Sequence, residues 1–366
     1  MNFLFKLNFS LKKPNVIIVT GLSRQTAAEA IFQVLKSHFK VEKMSGNKLP
    51  WRFKKDEILI YPIDLVKNLA ARNFQFLIKK SKLPILVVTN LGDIPPDKTF
   101  FAGENERIKE IAKLAESLPL LGYLILNLDD ETVRELKNKT KAHFLTFGLQ
   151  EIADFKATDI VLTQFPSPGT NFKLNYHGNI VPIWLKNLFG KEQIYASLAS
   201  VAVGNLLGLN LVEISQSLKS YQGLPGKMRL IKGIKNSMIL DDSESATSFS
   251  MAEALEILAG ILGFKRKVAV LGDIIGIGKY TIEAHEAMGE RVARSAELLF
   301  TFGERARFIA KGAREKGMPE EKIFQFNTVD EGKLKLQDEL REGDLILIDG
   351  SKEMKMEKII EEIKAV

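Results

Sequence analysis

Short runs rich in Val, Ile and Leu recur along this chain, separated by longer stretches with helical spacing. Asn15–Thr20 (NVIIVT), Pro84–Asn90 (PILVVTN), Gly122–Asn127 (GYLILN) and Asp159–Thr163 (DIVLT) read as buried strands. A strand covered by helices on both faces has no polar side. Nearly continuous apolar runs therefore imply a parallel sheet. Helical spacing at Gln25–His38, Glu104–Leu118 and Glu192–Leu207 supplies covering layers. Phe172–Leu174 and Ile180–Ile183 flank a turn at His177–Asn179 and predict an antiparallel hairpin.

A second alternation runs through Met238–Asp241, Lys267–Gly272, Glu297–Gly303, Lys322–Phe326 and Asp344–Ile348. Helices are expected at Met251–Leu262, Glu283–Ala296, Arg305–Lys316 and Glu353–Ile363. The seam is Gln222–Arg229 (QGLPGKMR), where two Gly and a Pro interrupt the pattern. The expectation is two α/β domains: a P-loop-like parallel-sheet domain over residues 1–222, then a smaller Rossmann-like domain over 223–366. A length of 366 residues suits that division, at about 150 residues per domain.

Composition removes several functions. With no Cys there is no disulfide, thiolate zinc site, iron–sulfur cluster or Cys nucleophile. Four His make a His-rich metal site unexpected. The charge of +7 is spread along the chain, so no nucleic-acid partner is expected. No apolar run reaches the ~18 residues of a membrane span, and the cytoplasm is the expected compartment. The beginning, Met1–Lys13 (MNFLFKLNFSLKK), reads as a short leading strand or packed arm, with a membrane-touching arm as the alternative.

Strand Asn15–Thr20 runs through Gly21-Leu22-Ser23-Arg24-Gln25-Thr26 into a helix. A strand, a tight loop and a helix start favour a bound anion, through backbone N–H groups and the helix dipole. A working P-loop also needs Gly-Lys-Ser/Thr at its end: backbone space, a cation for the phosphates and a hydroxyl for Mg²⁺. Here those positions are Arg24, Gln25 and Thr26. Two readings stand. One is weak anion binding through Gly21, Ser23, Arg24, Gln25 and Thr26, with Arg24 as substitute cation and Thr26 as metal ligand. The other is an ordinary βα turn with an exposed Arg.

The ordered motifs resemble the Mur ligases. In the first half these are Thr20–Thr26, Thr89-Asn90-Leu91-Gly92, Leu126-Asn127-Leu128-Asp129-Asp130, Thr146-Phe147-Gly148 and Gly190–Ser200. In the second half they are Pro225-Gly226-Lys227-Met228, Leu240-Asp241-Asp242-Ser243, Val270-Leu271-Gly272-Asp273, His285, Gly289, Gly343-Asp344 and Gly350-Ser351-Lys352. The resemblance implies ATP and Mg²⁺ as cofactors, activation of a carboxylate as acyl phosphate, amine attack to form an amide, and an active site in a cleft between domains. It also marks Asn90, Asp241, Ser245 and His285 as nucleotide-binding candidates.

The departures fall on that chemistry. The P-loop Gly-Lys is Arg24-Gln25, the strand-end Glu has no counterpart in Ile58–Ile63 (ILIYPI), and a family His falls at Pro95. Gly-x-His-Asn becomes Gly190-Lys191-Glu192-Gln193, and the Lys of Lys-Gly-Ser is Asp349. The helix that should carry a modified Lys has Ile111 nearest, with Lys109 and Lys113 beside it. Only ~14 residues precede the first strand, so a UDP-sugar substrate is not expected.

Three functions follow. The first is a Mur-ligase-like pseudoenzyme without a confident cofactor, with a binding or scaffolding role linked to cell-wall peptide synthesis. An active ligase or another cell-wall enzyme would be its partner. The second is a divergent active acid–amino-acid ligase in which Arg24, Lys109 or Lys113 replaces the missing charge. The third is an anion- or peptide-binding protein. Other features carry bland alternatives. His285 faces a nucleotide or merely packs. Asp241-Asp242 meets a ligand or joins a capping network with Ser243. Gly272–Gly278 departs from dinucleotide-loop spacing.

Overall fold

The computed structural model describes residues 3–44, 56–64, 68–91, 102–244 and 246–365. Nine strands form the first sheet: β1 (Asn15–Thr20), β2 (Val41–Lys43), β3 (Ile58–Pro62), β4 (Pro84–Val88), β5 (Tyr123–Asn127), β6 (His143–Gly148), β7 (Phe155–Thr163), β8 (Gly169–Tyr176) and β9 (Asn179–Lys186). Their order is β2-β3-β1-β4-β5-β6-β7-β8-β9. Every printed pairing from β2 to β7 is parallel. This is the architecture that near-continuous apolar strands require.

Alternate strand residues, among them Val16, Ile18, Leu59, Leu86 and Leu124, enter one core with side chains of helices Phe3–Lys12, Asn68–Lys80 and Ala102–Glu116. The intervening residues Ile17, Val19, Ile60 and Val87 are equally buried and point to the other face. Helix Arg24–Leu35 packs there with Lys191–Leu206; Val34 lies close to Gly204.

Two expectations change here. Of the two readings of Met1–Lys13, the strand is replaced by a helix over Phe3–Lys12, and the packed arm is what remains. Phe9 anchors it, fully buried, with its ring 5.9 Å from that of Phe76. The run Asp159–Thr163 ends a longer strand and is not buried: Ile160 and Val161 are exposed. Burial in β7 is confined to its start, at Phe155 and Ala157, so the apolar residues further along do not report burial.

The second sheet comprises β10 (Arg229–Lys232), β11 (Met238–Asp242), β12 (Arg266–Gly272), β13 (Leu298–Phe302), β14 (Ile323–Phe326) and β15 (Asp344–Asp349), ordered β10-β11-β15-β12-β13-β14. β10 is antiparallel to β11; the remaining pairs are parallel. Helices Ser248–Gly260, Thr281–Ser295 and Arg307–Glu315 cover one face, and Val329–Glu339 with Glu357–Ile363 the other. Helices Thr281–Ser295 and Arg307–Glu315 approach closely because Gly289 faces Gly312. A Cβ on Gly289 would lie 2.0 Å from the Ile309 carbonyl oxygen.

The chain forms two compact units. One contains Met1–Ile160, Asn171–Trp184 and Lys191–Tyr221; the other contains Val161–Thr170, Leu185–Gly190 and Gln222–Val366. The second unit thus takes up two short segments from before the seam. Thr170 Oγ1 donates to Leu188 O at 3.0 Å, and Leu230 N to Asn187 O at 2.8 Å, which ties these segments to the unit.

Candidate functional site

The turn after β1 is shaped by its neighbour. Gly21 has φ +109°, and a Cβ there would lie 2.2 Å from Thr89 Oγ1 and 2.8 Å from Asn90 O. Only glycine fits this close approach. Leu22 N donates to Asn90 O at 2.8 Å. Ser23 donates to Asn90 Oδ1 through its N–H at 3.3 Å and its hydroxyl at 2.8 Å. Asn90 therefore engages two loop amides and the loop hydroxyl.

The nearby cations are engaged too. Arg24 Nη1 donates to Gly21 O at 3.0 Å, while its Nη2 lies 3.2 Å from Asp64 Oδ2. Arg107 Nε lies 3.7 Å from the other Asp64 oxygen and is buried without a hydrogen bond. Gln25 is exposed. Thr26 is fully buried, and its hydroxyl donates to Glu192 Oε1 at 2.5 Å. Tyr221 donates to Thr26 O at 3.3 Å. Burial, then the Glu192 charge, holds the Tyr221 phenol in its neutral form well above the ordinary range.

Lys109 is exposed, and Lys113 is exposed and paired with Glu110 at 2.5 Å. Neither joins Arg24. Arg107, two residues before Lys109, reaches Asp64 instead. Reading the helix for Lys passes over it, although two residues (about 200°) place it on a different side. Asp64 follows the run Ile58–Ile63 directly and is the carboxylate that a reading stopped at Ile63 omits. Glu192 was visible as a replacement, but its contact with Thr26 spans 166 positions and leaves no local signal.

The neighbouring tags are held by carboxylates. Asp130 accepts from Leu91 N at 2.7 Å and Val133 N at 2.9 Å. Asp129 accepts from Leu149 N at 2.7 Å and from the Tyr195 hydroxyl at 3.0 Å.

In the second unit, Asp241 accepts from Gly226 N at 2.8 Å and from the Ser243 hydroxyl at 2.7 Å. It ties the seam glycine to the turn after β11. His285 is fully buried at the start of its helix. Its Nδ1 lies 2.6 Å from Thr281 O and its Nε2 accepts from Ile274 N at 3.1 Å. A carbonyl on one side and an N–H on the other require the neutral ring with its proton on Nδ1. Burial accordingly lowers its proton affinity. Asp273 accepts from Arg305 N at 3.0 Å and Ala306 N at 2.7 Å, and Ser351 Oγ accepts from Ile275 N at 2.8 Å. Ser245 and Pro95 lie outside the described residues, as does Gly92.

Asp349 differs from all of these. It ends β15 in register with Asp242 of β11, and is fully buried. No side chain donates to its carboxylate; the donor beside it is the Gly350 backbone N–H. Burial pushes this carboxyl well above the usual range, against opposing pulls from the Gly350 N–H and then from Lys227. Among the described residues, no group of three or more His, Asp or Glu is placed to hold a metal ion.

Comparison with known proteins places these two α/β units. The Mur ligase middle domain matches residues 77–204, and the Mur ligase glutamate ligase domain matches residues 226–352. The UDP-N-acetylmuramoyl-tripeptide–D-alanyl-D-alanine ligase of Bacillus subtilis (strain 168) is 25% identical over 362 residues, covering 95% of this chain and 75% of that enzyme. The enzyme of the same name from Escherichia coli (strain K12) is 30% identical over 209 residues, covering 57% and 44%. The crystal structure of a MurF ligase from Thermotoga maritima in complex with ADP aligns with a TM-score of 0.76 at 19% identity, covering 98% of this chain and 81% of that one. The chain belongs to the Mur ligase family.

Proposed function

We propose that this chain is a Mur-ligase-family protein without ATP-dependent amide-forming activity, which binds or scaffolds a component of cell-wall peptide synthesis. The observation that carries this reading is the occupied state of the loop after β1. Leu22 and Ser23 donate to Asn90, and Arg24 is turned back onto Gly21 O and Asp64. On this reading the residues do not fit a magnesium nucleotide. Exposed Gln25 stands where a phosphate-binding Lys is needed. Arg24 and Arg107 are offset by Asp64 and Glu192, so these four side chains supply no net positive charge. Loss of one charge-assisted phosphate contact costs about 1.5–3 kcal/mol, roughly tenfold to a hundredfold in affinity. A cell-wall enzyme is the expected partner, and the cytoplasm the expected compartment, in line with a chain that has no Cys.

A second reading has its own support. Thr26 Oγ1 and Glu192 Oε1 are both hard oxygen donors, of the kind Mg²⁺ prefers, and they sit 2.5 Å apart. A divergent active ligase would use this pair, with Arg24 and Arg107 as cations. Turnover separates the two readings. Purified protein is incubated with ATP, Mg²⁺ and mixtures of carboxylate and amine substrates, and phosphate release is followed. The first reading expects none above the protein-free rate. Release that disappears in Thr26→Val supports the second.

A further inference from the structure

The helix Phe3–Lys12 has a side that the first unit does not cover. Phe9 faces inward and is fully buried, whereas Leu7 and Leu11 are 48% and 73% exposed. At 100° per residue these leucines lie about 160° from Phe9, on the opposite side of the helix. Leu side chains on the outward stripe of a ten-residue helix are the inverse of ordinary core packing.

The surroundings are basic. Residues 1–28 contain no Asp or Glu, and neither do residues 65–92. The two segments are joined in the fold: Phe9 packs on Phe76, Lys6 Nζ lies 5.7 Å from the centre of the Phe76 ring, and Lys82 N donates to Pro14 O at 3.3 Å. This brings the ends of helices Phe3–Lys12 and Asn68–Lys80 together. Lys6, Lys12, Lys13, Lys79, Lys80 and Lys82 are all exposed. Lys82 also reaches Asp56 at 3.4 Å, and that pair is itself exposed. Among the described residues no helix is long and apolar enough to cross a membrane.

We infer that helix Phe3–Lys12 docks this protein, in the plane of the surface, onto a membrane bearing anionic lipid headgroups. Leu7 and Leu11 enter the boundary between headgroups and acyl chains, while the flanking lysines meet lipid phosphates. A helix this short supplies little apolar area, so the charge is essential and binding is reversible and salt-sensitive. An apolar helix face alone would suit a protein partner equally well; six exposed lysines, of which Lys82 is paired with the exposed Asp56, select the anionic surface.

The test is flotation of the full chain with vesicles of phosphatidylcholine alone, and with vesicles in which about one third of the lipid is phosphatidylglycerol. The protein is expected to float with the anionic vesicles only, and to be released as salt shortens the screening length from ~10 Å at 0.1 M to ~3 Å at 1 M. Leu7→Glu with Leu11→Glu should abolish flotation while leaving the thermal midpoint unchanged, since both side chains are exposed. Lys12→Gln and Lys13→Gln should each weaken binding about fivefold. Because these lysines are exposed, they test the idea even if the leucine variant folds poorly. Failure to float with anionic vesicles overturns the inference. So does equal flotation with both lipid compositions, or binding unchanged in both sets of variants. A concentration-dependent dimer that Leu7→Glu dissociates, in protein that ignores vesicles, would assign the face to a second copy instead.

Discussion

The loop after β1 and the end of β15 treat their carboxylates in opposite ways. At the loop, the carboxylates have partners: Asp64 faces Arg24 and Arg107, and Glu192 accepts from Thr26. At the end of β15, Asp349 is fully buried with no side-chain donor, and burial outweighs the pulls of the Gly350 N–H and Lys227. The first arrangement is a set of mutual contacts whose removal leaves something unsatisfied. The second is a group whose ionised form the surroundings disfavour. Matched substitutions should therefore act with opposite sign, which gives the comparison a direct test.

The largest effect is expected at the partnered end. Glu192→Ala leaves the buried Thr26 hydroxyl without its acceptor. Hydrogen bonds to charged groups contribute about 1.5–3 kcal/mol, so denaturant melts should show a loss of that order. Asp349→Asn should go the other way, with a gain of about 1 kcal/mol at neutral pH. The gain should also depend on pH. Because the folded carboxyl holds its proton more tightly than the unfolded one, its contribution is complete below the unfolded value of about 3.9 and is lost as pH rises through the folded value. Wild type and Asp349→Asn should thus converge in stability near pH 4 and separate by pH 8. A destabilised Asp349→Asn protein would break the comparison.

His285 sharpens it on a smaller scale. Its folded form is neutral and its proton affinity lowered. It contributes stability above the unfolded His value of about 6.5, and that stability is lost as pH falls toward the folded value. Thermal midpoints should drop between pH 7 and pH 5, and His285→Gln should flatten part of that slope. The smallest effect belongs to Arg24→Ala. Its pair with Asp64 is partly exposed, so about 0–1 kcal/mol is expected, shrinking in high salt.

How much of this was legible depended on how far each signal travels. The central strands could be read because burial on both faces leaves an uninterrupted apolar run, as in Asn15–Thr20 and Pro84–Val88. The helix Phe3–Lys12 could not be distinguished from a strand: its apolar residues serve two environments, Phe9 the core and Leu7 and Leu11 the outside. β10 has four residues beside a Gly/Pro seam, too few to show a period. At the site, the Gly21 turn and the replaced Lys were visible because they are local. Arg107 with Asp64 and Glu192 with Thr26 were not, since each contact joins segments far apart in sequence. The burial of Asp349 without a side-chain donor was equally hidden, because a residue type does not announce which partners the fold brings to it.

The measurement that bears most directly on the account is calorimetric titration of the purified full chain with ATP, with and without Mg²⁺. The account predicts no binding heat at millimolar ATP in either case, because the Leu22 and Ser23 amides and the Arg24 and Arg107 cations already have protein partners. Micromolar binding that requires Mg²⁺ and disappears in Thr26→Val would contradict it, and would make the Thr26–Glu192 pair a working metal site.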